Sequence, residues 1–255
     1  MSSRRIKQLV YGLFFVIVIV IVIWLIYLAF FKPAPSCFDG IQNQGETGVD
    51  CGGPCAKLCI PSTIQPVAAI GNVSVFAPLA GRVTLLGEIV DPNSDFAAQS
   101  VSYTFDLYDA SGNLIASIPG TAYVYADQTE YLVVPNEAVS TVVDHAALTI
   151  GAVQWVSASQ MGLVPQFTFK NIATVPGLAS GTLAVDGQIV DADSASFTNI
   201  TIIAVLRSSG GAPAGVSETV IDSIAPNQAE NFSITYPAAA NIDPTQTQVY
   251  AYAER

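Results

Sequence analysis

The chain has 255 residues, room for one or two domains of about 100–200 residues each. Only 11% of its residues are charged, against about 25% in an ordinary soluble protein, and its mean hydropathy is +0.48. Residues 32–255 carry six basic and 20 acidic side chains. This balance excludes a cytosolic soluble enzyme, a transporter with many spans and a nucleic-acid binder, because the last needs a basic surface to neutralise phosphates.

Residues 1–8 form a short tail that contains Arg4, Arg5 and Lys7, and residues 9–31 form an apolar run without any charge. As a helix rising about 1.5 Å per residue, this run is long enough to cross a hydrocarbon core of roughly 30 Å. Tyr11, Trp24 and Tyr27 lie near its ends, where aromatic residues meet the membrane surface. The run predicts a single-pass anchor in the lipid bilayer of the cell membrane. The basic tail predicts a cytoplasmic N-terminus and extracytoplasmic C-terminal domains.

A cleaved signal peptide is the competing interpretation of the same run. Its apolar region normally has about 7–15 residues and precedes a small-x-small cleavage site. Here the run ends in Phe30-Phe31-Lys32-Pro33 and is longer than that range. We therefore expect an uncleaved signal anchor.

The linker motif over residues 32–62 is rich in glycine and poor in apolar residues, so it cannot build a core of its own. It contains all four cysteines: Cys37, Cys51, Cys55 and Cys59. Outside the membrane an even number of cysteines favours two disulfides, and all three pairings stay open. A zinc site in the Cys-x3-Cys-x3-Cys run is the alternative, but it lacks paired Cys-x2-Cys spacing and requires a reducing compartment.

Four oxygen-bearing side chains lie between the first two cysteines: Asp39, Asn43, Glu46 and Asp50. Their spacing in a glycine-rich loop suits Ca²⁺, which takes oxygen ligands in flexible geometry. The other interpretation is that these residues are solvated turn formers. Calcium is the one cofactor that the sequence suggests.

The stretch Cys37-Phe-Asp-Gly-Ile-Gln-Asn-Gln-Gly-Glu-Thr-Gly-Val-Asp-Cys51-Gly-Gly-Pro-Cys55, completed by Cys59, carries a resemblance. It is similar to a short cysteine-rich motif that recurs in secreted and surface proteins of bacteria and archaea. The resemblance covers residues 37–59. It implies a surface location and no catalysis.

After residue 62 short β-rich runs alternate with turn residues, and no long segment has helical periodicity. In one run, Val101, Tyr103, Phe105 and Leu107 would share one face, and residues 109–112 and 208–211 predict turns. The predicted fold class is all-β: two tandem immunoglobulin-like antiparallel β-sandwiches over residues 63–160 and 161–255. The predicted strands cover residues 70–76, 82–90, 100–109, 113–118, 121–125, 130–134, 146–156, 166–170, 181–190, 198–207, 216–221, 231–236 and 247–253.

An internal repeat accompanies this pattern. Gly87-Glu-Ile-Val-Asp-Pro-Asn-Ser94 matches Gly187-Gln-Ile-Val-Asp-Ala-Asp-Ser194 at an offset of 100, and Gln128 and Gln228 keep that offset. With the similarity of the stretches that begin at Val153 and Val249, three landmarks recur in the same order. The pattern predicts a duplication of a unit of about 95 residues, with the join near residues 160–165.

Phe105-Asp-Leu-Tyr-Asp109, preceded by Gly87-Glu-Ile-Val-Asp-Pro-Asn and followed by Ala-Ser-Gly-Asn-Leu-Ile, resembles the FxLYD domain of prokaryotic surface proteins. The resemblance covers residues 66–158 and implies a small β-sandwich without catalytic chemistry. In the second copy, residues 164–255, the corresponding stretch is Ala204-Val-Leu-Arg-Ser208, so its membership depends on the internal repeat.

The chain offers little for catalysis, and no catalytic residue is predicted. His145 is the only histidine, and we expect it in a loop. No Gly-x-Ser-x-Gly elbow, phosphate loop or dinucleotide fingerprint occurs in the sequence. Two carboxylate pairs fall in predicted loops, where solvated turns or a second weak calcium site are the expected roles: Asp91 with Asp95, and Asp191 with Asp193.

These features predict a membrane-anchored extracytoplasmic protein with a non-enzymatic structural or adhesive role at the cell envelope. Its expected partners are other envelope proteins or surface polymers, and no nucleic acid. The alternative is a module that binds a ligand or protein through the end loops of the sandwiches, such as residues 91–96 and 208–215. An envelope hydrolase is the third hypothesis.

Overall fold

A computed structural model describes residues 3–28, 36–239 and 241–253. It divides into two compact units, Met1–Cys59 and Ile60–Arg255. The first unit contains helix α1 (Ser3–Ile26) and the cysteine-rich segment. The part of the helix from residue 7 to residue 26 is apolar after Lys7 and Gln8 and is long enough to cross a membrane, and none of its side chains is buried. Valine and isoleucine favour strands in water, but a helix bonds every backbone group within the segment, as lipid requires.

The second unit consists of antiparallel strands and one short helix, α2 (Ala158–Met161), between its two halves. The first half contains β1 (Ala68–Ala69), β2 (Ser74–Leu79), β3 (Arg82–Val90), β4 (Phe96–Tyr108), β5 (Leu114–Val124), β6 (Thr129–Ala138) and β7 (His145–Ser157). The second half contains β8 (Phe167–Pro176), β9 (Thr182–Asp191), β10 (Phe197–Arg207), β11 (Pro213–Ile224), β12 (Ala229–Pro237) and β13 (Asp243–Tyr252).

Each half is a pair of antiparallel sheets around its own apolar core. In the first half β3 pairs with β1 and β2 along one edge and with β6 along the other, and the facing sheet has the order β5-β4-β7. In the second half the sheets are β12-β9-β8 and β11-β10-β13. Val101, Phe105 and Leu107 have no exposed surface, which confirms the predicted stripe along β4. The predicted fold class is confirmed.

The predicted turns and most strands agree with the structure, with two clear differences. In place of the predicted strand 70–76 the structure has β1 and β2, and residues 70–73 lie outside both. The amides of Gly112 and Gly211 close turns by donating to the carbonyls of Asp109 and Ser208, at 2.9 and 2.8 Å. The predicted strands 113–118 and 121–125 are one strand, β5, which runs through Pro119. Because β5 lies at the edge of its sheet, the missing N–H of proline interrupts no pairing.

The two halves have the same strand order. The sheet β8-β9-β12 corresponds to β2-β3-β6, and β11-β10-β13 corresponds to β5-β4-β7. Single backbone bonds also correspond at the offset of 100 residues: the amide of Asp91 donates to Gln128 at 3.0 Å, and that of Asp191 to Gln228 at 3.1 Å. Positions in the two halves can therefore be compared strand by strand.

A third apolar cluster, here called the junction cluster, joins the two sandwiches. Phe76 and Leu86 of the first half are buried in it with Ile203, Val205 and Val216 of the second. Leu86 alternates with core residues along β3, and Val205 does so along β10, so both point away from their own cores. The sheet containing β3 therefore packs its outer face on the outer face of β11-β10-β13.

The two sheet faces left outside are polar at the positions that correspond to the junction cluster. Leu86 pairs with Val133 in the first half, whereas Asp186 pairs with Ser233 at the same place in the second. Likewise Val205 pairs with Val216 in β10 and β11, while the corresponding residues of β4 and β5 are polar: Asp106 and Ser117. At these positions each half therefore has an apolar pair on the outer face at the junction and a polar pair on its other outer face.

Candidate functional site

The four cysteines form two disulfides that overlap in sequence. Cys37 is bonded to Cys55 and Cys51 to Cys59, with Cα–Cα separations of 5.6 and 5.1 Å. All four sulfurs are used, so no thiolate remains for the alternative zinc site. Of the three pairings that the sequence left open, the structure has this one.

Glycines make the close packing of this segment possible. Gly52 and Gly53 have φ values of +69° and +57°, which residues with a Cβ rarely adopt. A Cβ on Gly52 would also lie 1.9 Å from the hydroxyl oxygen of Thr47, and one on Gly53 would lie 2.1 Å from the carbonyl oxygen of Gly45. The two glycines after Cys51 are therefore required by the backbone.

The predicted calcium ligands are brought into one loop, where the carboxylates of Asp39, Glu46 and Asp50 accept hydrogen bonds from protein groups. The side-chain oxygen of Asn43 is buried there without a hydrogen-bond partner. Both oxygens of Asp50 lie 3.0 Å from the amide nitrogen of Gly40. Asp39 accepts from the amide of Ile41 at 2.9 Å and from the side-chain amide of Asn43 at 2.9 Å. The bond from Asn43 is the largest of several that lower the pKa of Asp39. These contacts match the alternative role as turn formers.

Glu46 is the most enclosed of the four. Its side chain is 7% exposed, and one carboxylate oxygen accepts from the amides of Asn43 and Asp50, both at 3.3 Å. The other oxygen lies 3.0 Å from the sulfur of Cys55, which is in a disulfide and has no proton to donate. Among the described residues, no three acidic side chains of this loop have carboxylate oxygens within 4.8 Å of one another. Calcium binding here stays a prediction.

The expectation of solvated loop carboxylates is wrong for Asp91 and Asp191, which are 0% and 1% exposed. Each accepts the backbone N–H two residues later, at 2.9 and 2.8 Å, and so holds the turn after β3 or β9. Burial raises the pKa of Asp91, and hydrogen bonds from Asn93 oppose that rise. Asp193 accepts from the amide of Gln166 at 3.1 Å and ties down the segment before β8. These carboxylates hold turns, and the second calcium site that the sequence suggests at them stays a prediction.

His145 is the first residue of β7 and lies in a strand, which corrects the predicted loop. Its ring stacks on Tyr108 with centroids 5.1 Å apart, and its Nδ1 lies 3.0 Å from a carboxylate oxygen of Asp144. The side chains of His145 and Asp144 are both 57% exposed. This exposed pair lacks the enclosure that tunes a general base.

The two end loops of the binding hypothesis lie at opposite ends of the strands. Residues 91–96 connect β3 to β4, whereas residues 208–212 connect β10 to β11 and correspond to residues 109–113 in the first half. A single binding surface at one end of the sandwiches therefore does not contain both.

The sequence did not reveal a cleft of about 330 Å³ between the two sandwiches. The hydroxyl of Tyr125 donates to the carbonyl of Ala253 at 3.1 Å beside it, and the amide of Tyr131 donates to the hydroxyl of Tyr252 at 3.1 Å. Burial raises the pKa of Tyr252, and nearby Glu130 raises it further. The lining residues are Val124, Tyr125, Gln128, Thr129, Glu130, Val164, Pro165, Gln166, Phe167, Phe169, Val249, Tyr250, Ala251, Tyr252 and Ala253.

One signal in the sequence could have indicated this cleft. Tyr131 lies on the outward-facing side of β6, and Tyr250 and Tyr252 lie on the outward-facing side of β13. Large aromatic side chains at alternating positions that should face water are typical of a covered surface.

The sequence matches no protein-family model and no curated protein. Among solved structures, red sea bream transglutaminase is similar at 10% identity over 76% of this chain, with a TM-score of 0.22. The chain spans about a third of that protein's length, 31%. A similarity at this level gives no positive information on enzymatic status or function.

Proposed function

We propose that this protein is a single-pass membrane protein whose disulfide-linked segment and two β-sandwiches form an extracytoplasmic, non-enzymatic structural or adhesive element of the cell envelope. The observation that carries the proposal is α1, an apolar helix without a buried side chain from residue 7 to 26. Burying such a surface in lipid is strongly favourable, and water offers it no comparable partner.

Two further observations support the extracytoplasmic location. Disulfides persist in oxidising compartments, and the four cysteines of this chain are all in disulfides. Basic residues precede the helix, while acidic residues dominate the region after it, in agreement with the positive-inside rule. The expected partners remain other envelope proteins or surface polymers.

We infer that the sandwiches are immunoglobulin-like copies of one another, the first of the FxLYD type. The shared strand order, the matched backbone bonds and the sequence repeat support this inference. The junction cluster supports a structural role, because it joins the copies through packed apolar side chains as well as through the chain between them. A structural or adhesive protein needs this stability and no tuned acid or base.

Membrane extraction tests the anchor against the signal peptide. The full chain, with residues 1–31 still present, is expected in the membrane pellet after an alkaline carbonate wash, as detected by intact mass. A mature chain that starts after residue 31 and appears in the soluble fraction would replace anchoring with secretion.

A further inference from the structure

The cleft between the two sandwiches combines a buried carboxylate with aromatic walls. Glu130 is 9% exposed and lines the cleft beside Tyr125 and Tyr252. Phe167 and Phe169, on the strand that begins the second half, form another part of the lining. The cleft therefore offers apolar contact area together with one negatively charged group at its wall.

The charges around this cleft favour a positively charged ligand. None of the described residues that line it is basic, and Glu130 is the acidic one. Burial raises the pKa of Tyr252 and the charge of Glu130 raises it further, so these two side chains interact electrostatically. Tyrosine rings attract cations through their negative faces, and the acidic residues of the domain add to this potential. The nearest basic residue in these contacts, Arg207, is bonded to the Gln248 oxygen that also accepts from Tyr250, and it does not line the cleft.

We propose that the cleft binds a small organic cation with an alkylammonium head, which the carboxylate of Glu130 and the surrounding tyrosine and phenylalanine side chains would contact. The volume of about 330 Å³ lies at the small end of ligand sites, so the ligand is of the size of a short alkylamine. This inference goes beyond the structural role and does not depend on the membrane anchor. It gives the alternative binding hypothesis a site that residues 91–96 and 208–215 do not line.

Choline and its neutral isostere 3,3-dimethylbutan-1-ol are suitable probes, because they have the same shape and differ in charge. The full chain in a non-ionic detergent is titrated with each probe, and calorimetry measures the two affinities. Choline is expected to bind about tenfold tighter than the alcohol. Raising the salt concentration to about 0.5 M is expected to weaken the binding of choline. Equal affinity for the two probes, or binding of neither, would overturn the proposal.

Glu130→Gln keeps the shape of the side chain and removes its charge. It is expected to weaken the binding of choline about tenfold and to leave the affinity for the alcohol unchanged. The matched control is Glu137→Gln, a carboxylate of the same strand outside the cleft, which is expected to bind choline as the natural protein does. Equal binding by the two variants would refute the role of Glu130.

A second variant keeps the test decisive if Glu130→Gln fails to fold. Gln166 is exposed at the cleft, and its side-chain amide donates to the carbonyl of Val164 at 3.1 Å. Gln166→Lys would place an ammonium group of the protein itself at the cleft. We expect it to abolish the binding of choline with circular dichroism unchanged, and unchanged binding would contradict the proposal.

Discussion

Some side chains of this protein stabilise the sandwiches from inside their cores, and others lie on the surface and contribute little to stability. Phe105 is fully buried in the core of the first sandwich, whereas His145 is exposed on the same sheet. Removing a large buried side chain leaves a cavity, while trimming an exposed one removes few contacts. The FxLYD stretch therefore contributes to stability through Phe105 and Leu107.

The first prediction compares these two residues. Phe105→Ala is expected to lower the free energy of unfolding by about 3–5 kcal/mol, because a buried phenylalanine is lost. His145→Ala is expected to change it by about 0.5 kcal/mol or less and to leave function unchanged. Denaturant unfolding measures both. Loss of function in His145→Ala with an intact fold would reopen a catalytic or metal-binding role for this histidine.

The second prediction concerns pH and the buried Asp91. Burial raises its pKa above the ordinary value of 3.8, so the folded state holds this proton more tightly than the unfolded state does. The contribution of Asp91 to stability is therefore greatest below pH 3.8 and declines as the pH rises through the folded-state pKa. Asp91→Asn is expected to remove this decline in a series of unfolding curves.

Asp109 provides the control of opposite sign for that series. Hydrogen bonds from Asn113 lower its pKa, so its contribution is present above pH 3.8 and is lost as the pH falls through the lowered value. Asp109→Asn is expected to remove that loss at low pH. The interpretation of Asp91 fails if both variants change the pH dependence in the same direction.

At the scale of elements, the pairing of sheet faces explains why the stack has two sandwiches. Leu86 and Asp186 occupy corresponding positions, one inside the junction cluster and one on an outer face. Apolar residues on the outer face would expose a surface that fits another sandwich and so invite association. Because the outer face at Asp186 is polar, the junction cluster is the apolar surface through which the two halves pack.

The third prediction compares two single substitutions, each of which places at one of these positions the residue found at the other. Leu86→Asp is expected to lower the free energy of unfolding by about 3 kcal/mol or more, because it places a charge in an apolar contact. Asp186→Leu lies on the outer face and is expected to cost about 0.5 kcal/mol or less. Denaturant unfolding of the two variants provides the comparison. Equal effects would show that the junction cluster contributes nothing to stability.

The fourth prediction concerns the disulfide-linked segment. Proteolysis of the non-reduced protein, followed by mass spectrometry, is expected to release peptides that link Cys37 to Cys55 and Cys51 to Cys59. A link between Cys37 and Cys51, or alkylation of all four cysteines without reduction, would contradict the structure of this segment.

At the scale of the whole molecule, the sequence predicted the parts and missed how the sandwiches meet. Alternation along β4 and the turn residues were sufficient for the sandwiches, because each depends on neighbours in sequence. The disulfide pairing and the burial of Asp91 and Asp191 were not predictable, because they depend on which loops fold together. The cleft required knowledge of which outer faces are covered, and periodicity within one strand cannot supply it.

The central claim is that α1 crosses the membrane with residues 32–255 outside. Protease added to intact cells with a permeable outer layer tests it, with antibodies against the second sandwich and against the N-terminal tail as readouts. We expect digestion to remove the sandwich signal while a membrane-embedded fragment that begins at Met1 remains. Full protection of the sandwiches in intact cells, with digestion only after lysis, would contradict the claim.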